Sequence, residues 1–172
     1  MIPAPPNAHE DGSAPEPKPG EWIAPDEFAN VIRLTPLVAM DLIVRAPDDR
    51  VLVGRRINEP AKGLLFVPGS RISKNEKMAA AFERITGEEL GQEVPLSEAR
   101  FVGVYEHLYS VNRFNRPGFG THYIVLAYEL RLKLDPMKLP KDQHGEYLWL
   151  RPEELMRSPE VHANTKAYFQ ST

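Results

Sequence analysis

None of the 172 residues is a cysteine. Disulfides, thiol catalysis and thiolate metal sites are therefore excluded. Any metal must be held by carboxylate, carbonyl, amide or imidazole groups, and oxygen donors favour magnesium, manganese or calcium. Long apolar runs are lacking too. No stretch approaches the ~18 consecutive apolar residues of a membrane span, so no membrane partner is expected. The leading segment MIPAPPNAHEDGSAPEPKPGEW carries prolines and acids where a signal peptide needs an apolar run, which leaves a cytoplasmic location as the expectation. Positive charge is not in excess either. The formal net charge is −3, giving no basic field to hold nucleic acid. An anionic substrate then needs a local arginine cluster or a bound cation.

What is present suits one globular domain. The composition is 42% hydrophobic and 26% charged, enough for a single core and too short for two ordinary ones. Seven of the 17 prolines fall in the first 25 residues. Residues 1–22 read as a disordered, proline-rich tail and residues 23–172 as the domain. Folding is expected to begin with a short helix in APDEFANVIRLT, where Phe28, Val31 and Ile32 share a face. PLVAMDLIVRA and RVLVGRRI form a hairpin turned at Asp48 and Asp49. LLFVPGSRI reads as one strand stopped at Pro68-Gly69, and residues 76–90 as a helix ended by Gly91. ARFVGVYEHLYS, THYIVLAYELRL and EYLWL are further strands. RPEELMR and SPEVHANTKAYFQ read as closing helices, each with a first-turn proline. The pattern is that of a mixed sheet packed against helices.

The chemistry concentrates in residues 66–94, FVPGSRISKNEKMAAAFERITGEELGQEV. With Met78 at zero and about 100° per residue, Phe82 lies near ~40°, Ile85 near ~340° and Glu89 near ~20°. Glu89 thus stands in line with the apolar stripe, where a carboxylate must be paired or neutralised. Glu88, near ~280°, is on the flank. Taken singly, Glu88 and Glu89 read as surface charges at a helix end, and Arg84 as a solvated arginine paired at i,i+4 with Glu88.

Together, these residues resemble the Nudix box, G-x5-E-x7-R-E-U-x-E-E-x-G-U, with U a bulky aliphatic. Glu76, Arg84, Glu88, Glu89 and Gly91 fall on its places without a gap. Ser70, Ile85 and Gln92 depart from it, and Thr86 departs mildly at the first U. Such a box gathers carboxylates around a divalent cation that screens a diphosphate. Ile85 in place of the glutamate leaves one ligand fewer, which suits a single cation and attack at an atom other than phosphorus.

Over roughly Asp26 to Phe169 the chain is similar to GDP-mannose mannosyl hydrolases, a Nudix subfamily. LTPLVAMDLIV, VGRRINEPAKG, FVPGSRI, AAFERIT, THYIVLAYELR, LPKDQHGEYLWL and VHANTKAYF carry the likeness. The resemblance implies an α+β Nudix fold, a mixed β-sheet sandwiched between α-helices. It also implies a homodimer with one Mg2+ per active site, Mn2+ serving as a substitute. The implied reaction splits GDP-mannose, or GDP-glucose, into GDP and free sugar by inverting attack of water at the anomeric carbon. By the same resemblance the metal ligands are the Gly69 carbonyl, Glu89 and Gln143, and the general base is His144. Arg56, Arg71 and Tyr123 stabilise the diphosphate, Asp41 serves the sugar or the anomeric carbon, and Arg84 supports Glu89 or the diphosphate.

Each residue also has an ordinary reading. His144 and Gln143 can be plain loop residues. Asp41 interrupts an apolar strand and faces either a site or solvent. Of Tyr123 and His122, and of Arg55 and Arg56, only one of each pair can face a site; the likeness selects Tyr123 and Arg56. His107 either approaches the sugar or is a packed strand histidine. Two rival functions stand beside the main one: a conventional diphosphatase attacking phosphorus, and a domain that only binds.

Overall fold

The computed structural model describes residues 23–170. The proposed tail at 1–22 lies outside the described residues. Helix α1 spans Pro25–Leu34, with the proline in its first turn and Phe28 and Ile32 buried. The strands are β1 (Leu37–Arg45), β2 (Val51–Arg56), β3 (Leu65–Phe66), β4 (Gly69–Arg71), β5 (Arg100–Tyr109), β6 (Thr121–Arg131) and β7 (His144–Leu150). Helix α2 (Met78–Leu90) lies between β4 and β5, and α3 (Pro152–Arg157) and α4 (Ala163–Ala167) close the described chain.

All seven strands belong to one sheet, with the path β3-β2-β1-β6-β5. β1 runs parallel to β6 from Leu37↔Tyr123 to Arg45↔Arg131, and β5 pairs antiparallel with β6. β1 and β2 are paired only at Arg45↔Val51 beside their turn. Beyond it β1 continues with β4 and β2 with β7. This divergence within the sheet places Asp41, Gly69, Arg56 and the start of β7 around one opening.

β1 is buried on both faces, which is why it reads as a nearly continuous apolar run. Met40, Leu42 and Val44 pack with Phe82, Ile85 and Leu90 of α2 on one side. Ile43 packs on the other with Val53, Leu155, Val161 and Tyr168. Alternation then puts Asp41 on the Ile43 face. The sheet is thus sandwiched between α2 and the two closing helices, as expected for an α+β Nudix fold.

The hairpin turn falls at Asp48-Asp49, with Asp49 in the left-handed region at φ 66°. Gly91 ends α2 with φ 74°, a conformation that costs glycine little. Three expectations need correction. LLFVPGSRI is two short strands with different partners: Leu65–Phe66 pairs with β2 and Gly69–Arg71 with β1. The chain crosses between them at Pro68, whose carbonyl accepts a hydrogen bond from the Leu42 amide. α2 starts at Met78 rather than residue 76. Glu76 instead accepts from the Ser73 amide in the turn before it.

The last segment is helical only over Ala163–Ala167. Pro159 precedes it in a turn, because the backbone there pairs with β3: Leu65 donates to the Glu160 carbonyl and His162 to the Leu65 carbonyl. The other closing helix does carry Pro152 in its first turn. No helix among the described residues is long and apolar enough to cross a membrane.

Candidate active site

One cavity is lined by Asp41, Arg56, Gly69, Arg71, His107, Tyr123 and Gln143 together. These seven sites from the sequence come from β1, β2, β4, β5, β6 and the residue before β7. Both either-or choices are resolved by strand alternation. Arg55 turns outward to Glu146 and Glu160, whereas Arg56 turns inward, with its Nε buried and unpartnered. Tyr123 lines the cavity, while His122 sits 3.7 Å from Glu106 on the opposite side.

Among the described residues no carboxylate pairs with Arg56, Arg71 or Arg113. Arg71 lies over the Phe28 ring at 4.7 Å. Burial, followed by the like charges of Arg84 and Arg113, holds its pKa below the usual arginine value. A bound anion would relieve that strain on the charge. Arg56 lies over Phe66 at 5.4 Å. Arg113 was missed in the sequence, although the arginine-rich loop VNRFNRPGFG offered a signal. Buried Asn112 shapes that loop: its Nδ2 donates to the Arg116 and Phe119 carbonyls and its Oδ1 accepts from the Phe114 and Arg116 amides.

Asp41 faces the cavity rather than solvent. Burial raises its pKa to about 6, against the hydrogen bond from Tyr168 and the charge of Arg56, with the charge of Glu89 adding to the rise. Gly69 sits directly opposite in the β1–β4 register. A Cβ there would lie 2.5 Å from Asp41 Oδ1 and from the Met40 carbonyl, so this close approach requires glycine. Ser70, at the place of the box glycine, has no positive φ. Its side chain imposes no strain of that kind on β4.

Glu89 and His144 lie behind the cavity wall, each 2% exposed. His144 Nδ1 is 3.5 Å from Glu89 Oε2 and 3.3 Å from the Tyr147 hydroxyl. That hydroxyl donates to the Pro140 carbonyl at 3.0 Å and so can accept from Nδ1–H. This tautomer leaves Nε2 as the acceptor, and Nε2 is buried without a partner. Gly54 makes room for the ring, since a Cβ there would lie 2.6 Å from it. His144 is the first residue of β7 rather than a loop residue, paired with Arg56 across the strands.

The box carboxylates have separate fates. Glu76 and Glu88 both bind Arg84, at 2.6 and 2.9 Å, and the Glu88 side chain is 52% exposed. Arg84 also donates to the Arg71 carbonyl at 3.0 Å, so it braces the strand carrying Arg71 rather than Glu89. Ile85 is wholly buried in the core, where no metal ligand can project. Thr86 accepts from the Val94 amide and donates within its own helix, joining the turn after α2 to the helix. Glu89 alone points inward with a free oxygen, Oε2. Among the described residues no three His, Cys, Asp or Glu side chains cluster for a metal. Gly69 and Gln143 line the cavity and Glu89 lies behind it; the oxygen donors these residues carry are of the kind a hard cation takes.

A mixed sheet lies between helices, with an arginine-lined opening and the buried carboxylate of Glu89 behind its wall. Comparisons with known proteins identify the family. Residues 35–170 match the NUDIX domain. The low-salt glycan biosynthesis protein Agl8 of Haloferax volcanii is 37% identical over 136 residues, covering 78% of this chain and 83% of that one. Among solved structures, a MutT protein from Methanosarcina mazei has a TM-score of 0.62 at 16% identity, covering 79% of this chain and 92% of that one. The NUDIX domain of Shewanella oneidensis NrtR, solved with ADP ribose, has a TM-score of 0.57 at 13% identity, covering 86% and 96%. At those identities the two structures show the fold alone. The chain belongs to the Nudix hydrolase family.

Proposed function

We propose that this Nudix hydrolase cleaves a GDP-hexose, GDP-mannose first, to GDP and free sugar by attack of water at the anomeric carbon. The observation that carries this reading is the fate of the box carboxylates: Glu76 and Glu88 are tied to Arg84, Ile85 is in the core, and Glu89 alone is turned inward. That inventory suits one cation rather than several. Glu89, Gln143 and the Gly69 carbonyl would hold Mg2+, with Mn2+ as a substitute. When bound, the cation would screen the diphosphate and stabilise the charge that develops on it.

The chain's own groups account for the rest. Arg56, Arg71 and Tyr123 receive the diphosphate, whose charge grows as the bond to the sugar breaks. Asp41 accepts from a sugar hydroxyl or stabilises positive character at the anomeric carbon. His144 Nε2 takes the proton as water forms its bond to that carbon from the far side. The carbon–oxygen bond to GDP breaks and GDP leaves with the electron pair, inverting the centre. A neutral imidazole suits proton abstraction near neutral pH. Similarity to a protein named for glycan biosynthesis accords with a sugar-bearing substrate. The reading also includes a homodimer and a cytoplasmic location.

The test is hydrolysis of GDP-mannose with magnesium in oxygen-18 water, followed by mass spectrometry. Label in mannose with unlabelled GDP is the expected result. GMP with mannose 1-phosphate would overturn it in favour of attack at phosphorus, as in a conventional diphosphatase. Binding of GDP-mannose without turnover of any nucleotide-sugar would overturn it in favour of a domain that only binds.

A further inference from the structure

Tyr168 has no role in the reading above, yet its hydroxyl joins two of the cavity's polar side chains. It lies 2.6 Å from Asp41 Oδ2 and 3.1 Å from His107 Nε2. Tyr168 and His107 are buried, and the three come from distant parts of the chain: β1, β5 and the residue after α4. An ionised carboxylate can only accept, so the tyrosine hydroxyl donates to Asp41. Its oxygen then accepts a hydrogen bond from His107, which must carry its hydrogen on Nε2. Burial holds the His107 pKa down to about 4, so the ring is neutral through the working range and has a single hydrogen to place.

The tyrosine is itself held firmly. Its ring packs edge-on against Tyr105 with centroids 4.7 Å apart. The segment before it is pinned to the sheet by the Val67 amide on Thr165 Oγ1 and by Asn164 donating to the Tyr109 hydroxyl. With Oδ2 taken by the tyrosine, the other oxygen, Oδ1, lies beside Gly69 and is the one left for a ligand in the cavity.

We propose that Tyr168 is a positioning residue: the chain His107 Nε2–H to Tyr168 O–H to Asp41 Oδ2 fixes the carboxylate so that Oδ1 accepts from a hydroxyl of the bound sugar. The sugar half of this statement rests on the nucleotide-sugar reading; the chain of donors does not. A carboxylate without this anchor can rotate, and its hydrogen bond to the sugar then has to be organised anew for each substrate. The nucleoside diphosphate half of the ligand, held by the arginines, is indifferent to it.

Two measurements on the full-length protein test the proposal. Long-range proton–nitrogen NMR at neutral pH should show His107 in the Nε2–H tautomer; the Nδ1–H tautomer would overturn the relay whatever the substrate proves to be. Tyr168→Phe keeps the ring and removes only the donor. It should lower kcat for GDP-mannose about tenfold or more, as loss of one charge-assisted hydrogen bond implies, while the Kd for GDP changes less than about twofold. The double variant Asp41→Asn, Tyr168→Phe should be no slower than Asp41→Asn alone within about twofold, because the tyrosine acts only through the aspartate. Multiplicative losses, or equal weakening of GDP and GDP-mannose, would show a merely structural tyrosine. Absence of turnover with GDP-mannose would remove the substrate reading, and the tautomer would still decide the relay.

Discussion

Asn in place of Asp41 is expected to stabilise the fold while damaging activity. The reasoning starts from the enclosed carboxyl, raised from 3.8 to about 6 chiefly by burial. Above about pH 6 the folded protein carries an ionised group that its surroundings disfavour, while the unfolded chain carries it freely in water. At about 1.36 kcal/mol per pH unit, the penalty is about 3 kcal/mol at neutral pH. Because the folded pKa is the higher one, the associated stability is present below 3.8 and lost as pH rises through about 6.

Asp41→Asn removes the ionisation and keeps an oxygen for the Tyr168 hydroxyl. It should raise the unfolding free energy by up to about 3 kcal/mol at about pH 7.5, falling to about 1 kcal/mol at about pH 4.5. The assay is urea unfolding of the metal-free protein at both pH values, with turnover measured alongside. Equal gains at the two pH values, or a loss at the higher one, would refute the account. A gain in stability joined to a loss of turnover is the pattern of a site retained for function against the interest of the fold.

His107 contributes with the opposite sign. Its folded pKa of about 4 lies below the ordinary 6.5, so its stability is present above 6.5 and lost as pH falls to about 4. Replacing it with Gln should flatten the acid side of the pH–stability curve, read by thermal melts across that range. His144→Gln should lower kcat by about 10²–10⁴-fold with magnesium affinity retained by calorimetry; near-normal turnover would remove it as the base. Glu89→Gln should weaken magnesium binding as well as turnover, and unchanged metal affinity would refute its place as a ligand. Gly69→Ala should cost about 1–3 kcal/mol in urea unfolding, since the added methyl meets Asp41 Oδ1 and the Met40 carbonyl at 2.5 Å.

Much of this protein was determined by sequence alone. The apolar run of β1, the turn at Asp48-Asp49 and the end of α2 at Gly91 follow from local patterns that each residue's own stereochemistry enforces. The helical wheel placed Glu89 among Phe82 and Ile85, and all three are buried. The box spacing marked the segment that carries the site. Other features had no local signature. The split of residues 65–71 between two partners depends on where β1 and β2 diverge, and nothing within those residues records it. The short final helix gave way to pairing with β3, a contact across about a hundred residues of chain.

The Arg84–Glu88 pair at i,i+4 was legible in the sequence; only the fold brought Glu76 to the same arginine, left Glu89 with a free oxygen and turned Asp41 to the cavity. Only the fold brought Tyr168 to Asp41, 127 residues away in sequence. Sequence patterns fix which side of an element a residue takes, because period and sterics are local. Which partner waits on that side is set by how distant elements pack, and that is a property of the whole chain.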